Sequence, residues 1–184
     1  MAGHHLVHFL RHGQFVAEAT TGDGPLTALG RRQASRTATR LHECTIARVY
    51  SSDLQRAKET AGIIAKQLSV SVSALPMLSE IIPTRIPGLR VPLHNRRMGK
   101  EKIEEVIAHF LTSSPKSGDL VVVCHGNFIR ALVCRILKSP VTNWQQLGIF
   151  HCGITTFRFK KNGQILLQCF NDTGHLPSQL RTSM

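Results

Sequence analysis

Arg11-His12-Gly13 and His125-Gly126-Asn127 place a cation, two imidazoles and two glycines at the ends of short apolar runs. Between them, Ser51-Ser52-Asp53 with Arg56 follows another such run. An arginine fork matches phosphate oxygens in a bidentate way. A neutral imidazole nitrogen can attack phosphorus, and the amides of a helix N-terminus favour an anion. If the three segments meet, Arg11, Arg56 and the two histidines form a phosphate pocket that contains its own nucleophile. In that setting the charge of Arg11 should lower the pKa of His12, and a bound dianion should raise that of His125.

The elements that must bring them together are legible in the hydrophobic pattern. Residues 5–10 read as a buried strand, followed by a Gly/Pro-rich loop at 20–26. Thr27 suits an N-cap for a helix through about Glu43. RVYSS (48–52) is a second strand. Asp53 then opens a helix whose Leu54, Ala57, Ala61, Ile64 and Leu68 form one apolar stripe.

From Pro76 to Lys100 four prolines and two glycines break the pattern, so 76–100 reads as a long loop or small cap. Helical spacing returns with Ile103, Val106, Ile107, Phe110 and Leu111. LVVVC (120–124) is the clearest buried strand, and a helix over 128–137 follows it. ITTFRF and QILLQCF flank KKNG, where Asn162-Gly163 suits a tight type I′ hairpin turn. The alternation predicts one α/β domain over 1–184. Its expected form is a three-layer sandwich: a mainly parallel sheet between helices, one antiparallel strand and a short cap loop. In such sheets the ligand site lies at the carboxyl ends of the strands, where all three polar segments fall.

Composition narrows the partners. The net charge of +12 suits an anionic partner. One Trp, one Tyr and no recognisable motif argue against nucleic acid. No apolar run approaches the length of a membrane span. The strand starts so near residue 1 that no leader is visible, which suggests a cytoplasmic protein, or a mitochondrial one if a preceding segment has been removed.

Cys44, Cys124, Cys134, Cys152 and Cys169 show no C-x-x-C spacing, against a disulfide framework or zinc site. His4, His5, His8 and His12 lie on a strand with no acidic neighbour in sequence, so no metal is expected. A homodimer is left open.

Four segments together resemble the histidine phosphatase (phosphoglycerate mutase-like) superfamily: L-R-H-G-Q at 10–14, L-T-x-L-G-R-x-Q-A at 26–34, S-S-D-L-x-R-A-x-E-T at 51–60 and C-H-G-N-F-I-R at 124–130. V-C-R-I-L at 133–137 and N-D-T-G-H-L-P at 171–177 extend the likeness to its mitochondrial protein serine/threonine phosphatase branch. The resemblance implies that His12 is transiently phosphorylated, while Arg11, Arg56 and His125 hold the phosphoryl group. It also implies that Glu80 donates the proton to the leaving oxygen, with Gly126, Asn127 and Gln14 beside the substrate. It implies no metal and no cofactor. Where many members carry Asn five residues after the Gly of Arg-His-Gly, this chain has Glu18.

Only 125 − 80 = 45 positions separate Glu80 from His125, too few for the large cap of a mutase, so hydrolysis is favoured. The expected activity is a phosphomonoester hydrolase, in first place a protein Ser/Thr phosphatase. Two alternatives are a small-metabolite phosphatase and a non-catalytic phosphoprotein-binding module. The basic stretch at 85–100, with Arg85, Arg90, Arg96, Arg97 and Lys100, is expected to overhang the pocket.

Overall fold

Residues 5–84, 93–111, 118–160 and 162–183 are described by the computed structural model. β1 (His5–Arg11), β2 (Ile46–Ser51), β3 (Val72–Ala74), β4 (Asp119–Cys124), β5 (Ile154–Phe159) and β6 (Ile165–Asp172) form one sheet in the order β3-β2-β4-β1-β5-β6. The pairs β1–β4, β2–β4 and β2–β3 are parallel. β5 is antiparallel to both β1 and β6, so it alone runs against the others. This is the expected α/β sandwich.

Alternation along the central strands sorts the core into two layers. Val7 and Phe9 of β1, with Leu120 and Val122 of β4, face one side. There they meet α3 (Leu93–Phe110) and α4 (Gly126–Ile136) through Ile103, Val106, Phe110, Phe128 and Leu132. Leu10, Val121 and Val123 face the other side, against α1 (Ala28–Leu41) and α2 (Gln55–Leu68) through Ala38, Leu41, Ala57, Ala61 and Ile64. Strands covered on both faces read as continuous apolar runs, which is why LVVVC was so clear.

Thr27 caps α1 as expected, its hydroxyl accepting from the Gly30 N–H at 3.0 Å. α2 differs from expectation at its start. Asp53 does not open it; the Asp23 carboxylate, from the loop before α1, accepts the Gln55 N–H at 2.7 Å and the Arg56 N–H at 3.5 Å. A first-turn amide can be satisfied by any acceptor that tertiary structure supplies.

α3 begins at Leu93, inside the stretch expected to be loop. Its first turns lack an apolar stripe in sequence, and Gly99 lies against Ile81, where an added Cβ would make an ordinary contact at 3.5 Å. The remainder of the proposed cap, 85–92, lies outside the described residues. The hairpin loop is also longer than a two-residue turn. Lys160 N–H donates to the Gln164 C=O, and Gly163 N–H to the Lys160 C=O, with Gly163 at φ +79°. Gly163 therefore ends a three-residue loop rather than occupying the centre of a type I′ turn. β3 is a short edge strand with exposed Val72 and Ala74, and it lies within the Val/Ser alternation of residues 70–74.

Candidate active site

β2, β4 and β1 are neighbours and all run the same way, so Ser51-Ser52, His125 and Arg11-His12 emerge at one edge of the sheet. Backbone bonds continue the register past the strand ends: His12 N–H donates to the Cys124 C=O at 3.0 Å, and Ser52 N–H to the Val123 C=O at 2.9 Å.

The glycine after His12 has a steric cause. An added Cβ on Gly13 would stand 2.7 Å from the Gly30 carbonyl oxygen, and one on Gly30 would stand 2.0 Å from that of Gln14. The backbone leaving β1 thus presses directly on α1. Gly13 N–H donates to Thr60 Oγ1 at 3.0 Å, and the Thr60 hydroxyl donates to the Arg56 C=O at 2.7 Å. The chain turns sharply and holds His12 over the sheet edge.

Hydrogen bonds decide the tautomers. His12 Nδ1 is 2.9 Å from the Gly13 carbonyl oxygen, which can only accept, so Nδ1 carries the proton. His12 Nε2 then keeps its lone pair and accepts from Arg56 Nε–H at 3.1 Å. Burial, then the neighbouring His125, holds the His12 pKa well below 6.5 despite the bond to Gly13. Arg11 adds to this shift as expected, but as a lesser contributor. The imidazole is neutral and its lone pair is on Nε2.

Arg56 also reaches His125 Nδ1 at 3.3 Å, while His125 Nε2 lies 2.8 Å from Ser52 Oγ. An arginine cannot accept, so His125 Nδ1 is the acceptor and its Nε2–H faces Ser52. Burial and the adjacent Arg56 push the His125 pKa down to about 3, so this ring is neutral in the free pocket. The rings of His12 and His125 lie 5.2 Å apart.

Arg56 is fixed from behind. Its NH1 group pairs with Asp23 Oδ1 at 2.7 Å, and its guanidinium lies 4.6 Å from the centre of the Phe15 ring. Arg11 donates to the backbone carbonyls of Ile149 and Ser183, while its Nε is buried without a hydrogen-bond partner. Burial lowers the Arg11 pKa to about 10, so it stays charged. Gly126 packs against both Ile149 and Arg11: an added Cβ would sit 3.1 Å from the Ile149 side chain and 3.4 Å from Arg11 Nε. His125 is the N-cap residue of α4, so the first-turn amides of Gly126 and Asn127 open at the same edge.

Glu80 is half-buried in the segment after β3, and the charges of Arg56 and Arg11 are felt at its carboxyl. Ile81 N–H donates to it at 3.1 Å, and the Phe128 amide of α4 also bonds it. Desolvation outweighs these and raises its pKa to about 7. The structure therefore brings His12, Arg11, Arg56, His125, Gly126 and Glu80 to one end of the sheet. Gln14 is engaged elsewhere: its side-chain oxygen accepts from Thr27 Oγ1 at 2.8 Å. Asn127 Oδ1 accepts from Arg130 at 3.3 Å.

Two site residues were not anticipated. Asp23 sat in a loop that looked like plain punctuation. His151 follows no strand-end pattern, yet its ring lies 5.7 Å from that of His12. Its Nδ1 is anchored on Thr182 at 3.0 Å, and burial and Arg11 lower its pKa to about 4. The Glu18 side chain is exposed and turned to Thr21, while its backbone N–H donates to the Asp23 C=O at 2.6 Å; the loop serves the pocket through the Asp23 carboxylate.

A family model described as "Histidine phosphatase superfamily (branch 1)" matches residues 7–102 and 94–173. The chain belongs to the histidine phosphatase superfamily. This histidine phosphatase chain is 32% identical over 190 residues to a protein named mitochondrial serine/threonine-protein phosphatase Pgam5 in Drosophila grimshawi, covering 95% of this chain and 65% of the relative. The Xenopus laevis protein of the same name is 32% identical, with 94% of this chain and 67% of the relative covered. The chain thus spans about two thirds of these relatives' length.

Among solved structures, phosphoglycerate mutase from Plasmodium falciparum is 27% identical with a TM-score of 0.66, covering 96% of each chain. Phosphoserine phosphatase from Entamoeba histolytica, at 23% identity and TM-score 0.71, covers 94% of this chain and 99% of its own; it shares the fold. Among the described residues, no helix is long and apolar enough to cross a membrane.

Proposed function

We propose that this chain is a metal-independent phosphomonoester hydrolase that works through a phosphohistidine on His12, with phosphoserine or phosphothreonine in proteins as its substrate. The observation that carries the reading is the His12 ring: Nδ1–H tied to Gly13 and the Nε2 lone pair turned toward Arg56. A nucleophilic nitrogen thus sits among cations and beside a carboxyl that holds its proton to about pH 7.

On binding, phosphate oxygens replace His12 as the partner of Arg56 Nε–H and take up the unpartnered Arg11 Nε–H. The dianion raises the His125 pKa, so that its Nδ1 gains a proton and donates to the phosphate. His12 Nε2 attacks phosphorus, the P–O bond to the substrate breaks, and protonated Glu80 delivers its proton to the leaving oxygen. A water then attacks the phosphohistidine. Ionised Glu80 takes a proton from that water, the P–N bond breaks and inorganic phosphate leaves. Arg11, Arg56 and the amides at Gly126 and Asn127 stabilise charge on the transferring group throughout.

The protein-phosphatase part of the reading is supported by the names of the relatives at 32% identity and by the short stretch of 45 positions between Glu80 and His125. The test is phosphate release from phosphopeptides against a panel of phosphorylated metabolites, with trapping of the intermediate. Brief incubation with labelled substrate should yield an acid-labile, base-stable phosphoenzyme, absent in His12→Ala. An acid-stable adduct, or full activity in His12→Ala, overturns the mechanism. Preference for a metabolite would leave the mechanism standing and replace the substrate class.

A further inference from the structure

At the opposite edge of the sheet from His12, three potential ligands converge that the phosphatase chemistry does not use. His8 lies on β1, Asp119 begins β4, and Cys44 sits in the turn between α1 and β2. Their donor atoms, a ring nitrogen, a carboxylate oxygen and the thiol sulfur, all lie within 4.8 Å of one another. His8 is four residues before His12 along an extended chain, so the cluster stands about 13 Å from the nucleophile.

His8 is the telling member. It is only 5% exposed, and its Nε2 has no hydrogen-bond partner. The nearest carboxylate oxygen, Asp119 Oδ2, is 3.8 Å away, too far for a hydrogen bond. A buried, unpartnered ring nitrogen is costly and asks for an explanation.

Two of the three ligands are also held from behind. His8 Nδ1 bonds Thr156 Oγ1 at 3.0 Å, and Asp119 Oδ1 accepts the Leu6 N–H at 2.8 Å, leaving Nε2 and Oδ2 turned toward each other. Such outer hydrogen bonds are what fix metal-ligating histidines and carboxylates. His8 and Cys44 line a cavity of about 290 Å³ whose walls also include Cys169 and Asp172.

We propose that His8, Cys44 and Asp119 form a binding site for a borderline-soft divalent cation of the Zn²⁺ class. Nitrogen, thiolate and carboxylate suit that ion and disfavour the all-oxygen preference of Ca²⁺ or Mg²⁺. One thiolate and one carboxylate neutralise a dication. Tetrahedral coordination places ligand atoms roughly 3.3–3.7 Å apart, so closing the observed spacing needs side-chain shifts of about 1 Å or less. Water completes the fourth position from the cavity. The histidine-rich start of the chain gave no such site because Asp119 and Cys44 are remote in sequence; β1–β4 pairing supplies them.

The test uses the full chain, dialysed against a chelator in a thiol-free phosphine reductant and titrated with Co²⁺ alone. Tetrahedral visible bands and a near-ultraviolet thiolate-to-cobalt charge-transfer band should saturate at one equivalent and be abolished by competing Zn²⁺. Cys44→Ser should lose the charge-transfer band, and Thr156→Val should weaken binding about 10- to 100-fold. Zn²⁺ should raise the melting temperature of the wild type and not that of Cys44→Ser. No cobalt bands at one equivalent, or a charge-transfer band that persists in Cys44→Ser, overturns the proposal. Cys44 is half-buried, and circular dichroism of Cys44→Ser separates lost binding from lost fold.

Discussion

Arg56 Nε–H points at His12 Nε2 across 3.1 Å, so the group that would bind a phosphate and the atom that would attack it are hydrogen-bonded to each other in the free protein. The contact has two consequences. It keeps the nucleophilic lone pair oriented toward the cations, and it disfavours a proton on Nε2, since the arginine can only donate. Asp23 holds the other side of Arg56, making the loop before α1 part of the site although none of its residues is a candidate for chemistry.

Asp23→Asn tests that support. The pair is largely buried, with side-chain exposures of 7% for Arg56 and 19% for Asp23. Removing one partner of a buried pair costs about 3 kcal/mol, and here the first-turn amides of α2 also lose a charged acceptor. We expect a lower urea midpoint and a reduced kcat/KM, with His12 still phosphorylated on long incubation. Unchanged stability would show that Arg56 is held by its other contacts.

Glu80→Gln should act oppositely on activity and stability. A carboxyl whose folded pKa is about 7 against an ordinary 4.5 keeps its proton when folded and loses it when unfolded. Stability from this group is therefore present below pH 4.5 and lost as pH rises through 7, on the order of 3 kcal/mol. Measured by chemical denaturation, the variant's stability relative to wild type should be higher at pH 8 than at pH 5. Its turnover of alkyl phosphates should fall far more than that of p-nitrophenyl phosphate, whose leaving group needs little protonation. The wild type's alkaline limb near pH 7 should vanish on the alkyl substrate. Equal losses on both substrates would remove the general-acid role.

The histidines predict early acid sensitivity. His12 is held well below 6.5, His125 at about 3 and His151 at about 4, chiefly by burial. Below pH 6.5 the unfolded chain binds protons that the folded one refuses, so stability falls as pH drops from 6.5 toward those folded values. The loss approaches about 1.4 kcal/mol per pH unit for each group. Urea midpoints at pH 7, 6 and 5 should decline steeply, and His151→Gln should flatten the slope. A pH-independent midpoint across that range would contradict the buried neutral rings.

Gly13→Ala should disturb the nucleophile through the backbone. The new methyl would meet the Gly30 carbonyl at 2.7 Å, a contact that forces the strand end away from α1. A cost of about 1–3 kcal/mol is expected, as for other overpacked sites. Because His12 is the preceding residue, kcat should fall more than the melting temperature would suggest. Phosphoenzyme formation at wild-type rate would show that the strand end relaxes without moving the ring.

Amino-acid order alone determined much of this protein. Apolar runs of four or five residues, each ending in Arg-His-Gly, Ser-Ser-Asp or His-Gly-Asn, already specified parallel strands with polar groups at one edge, because an extended chain delivers its next residues wherever its strand points. Arg11, His12, Arg56 and His125 were legible for that reason, as was the cap at Thr27, which depends on a bond only three residues long. Contacts that cross the sequence were not legible. Asp23 reaches 33 residues forward to Arg56, His151 meets His12 through the return of β5 beside β1, and Asp119 approaches His8 through β1–β4 pairing. Glu80 could be placed by resemblance, but its proton affinity could not, since desolvation sets it and only the packing of α3, α4 and the strand edge removes the water.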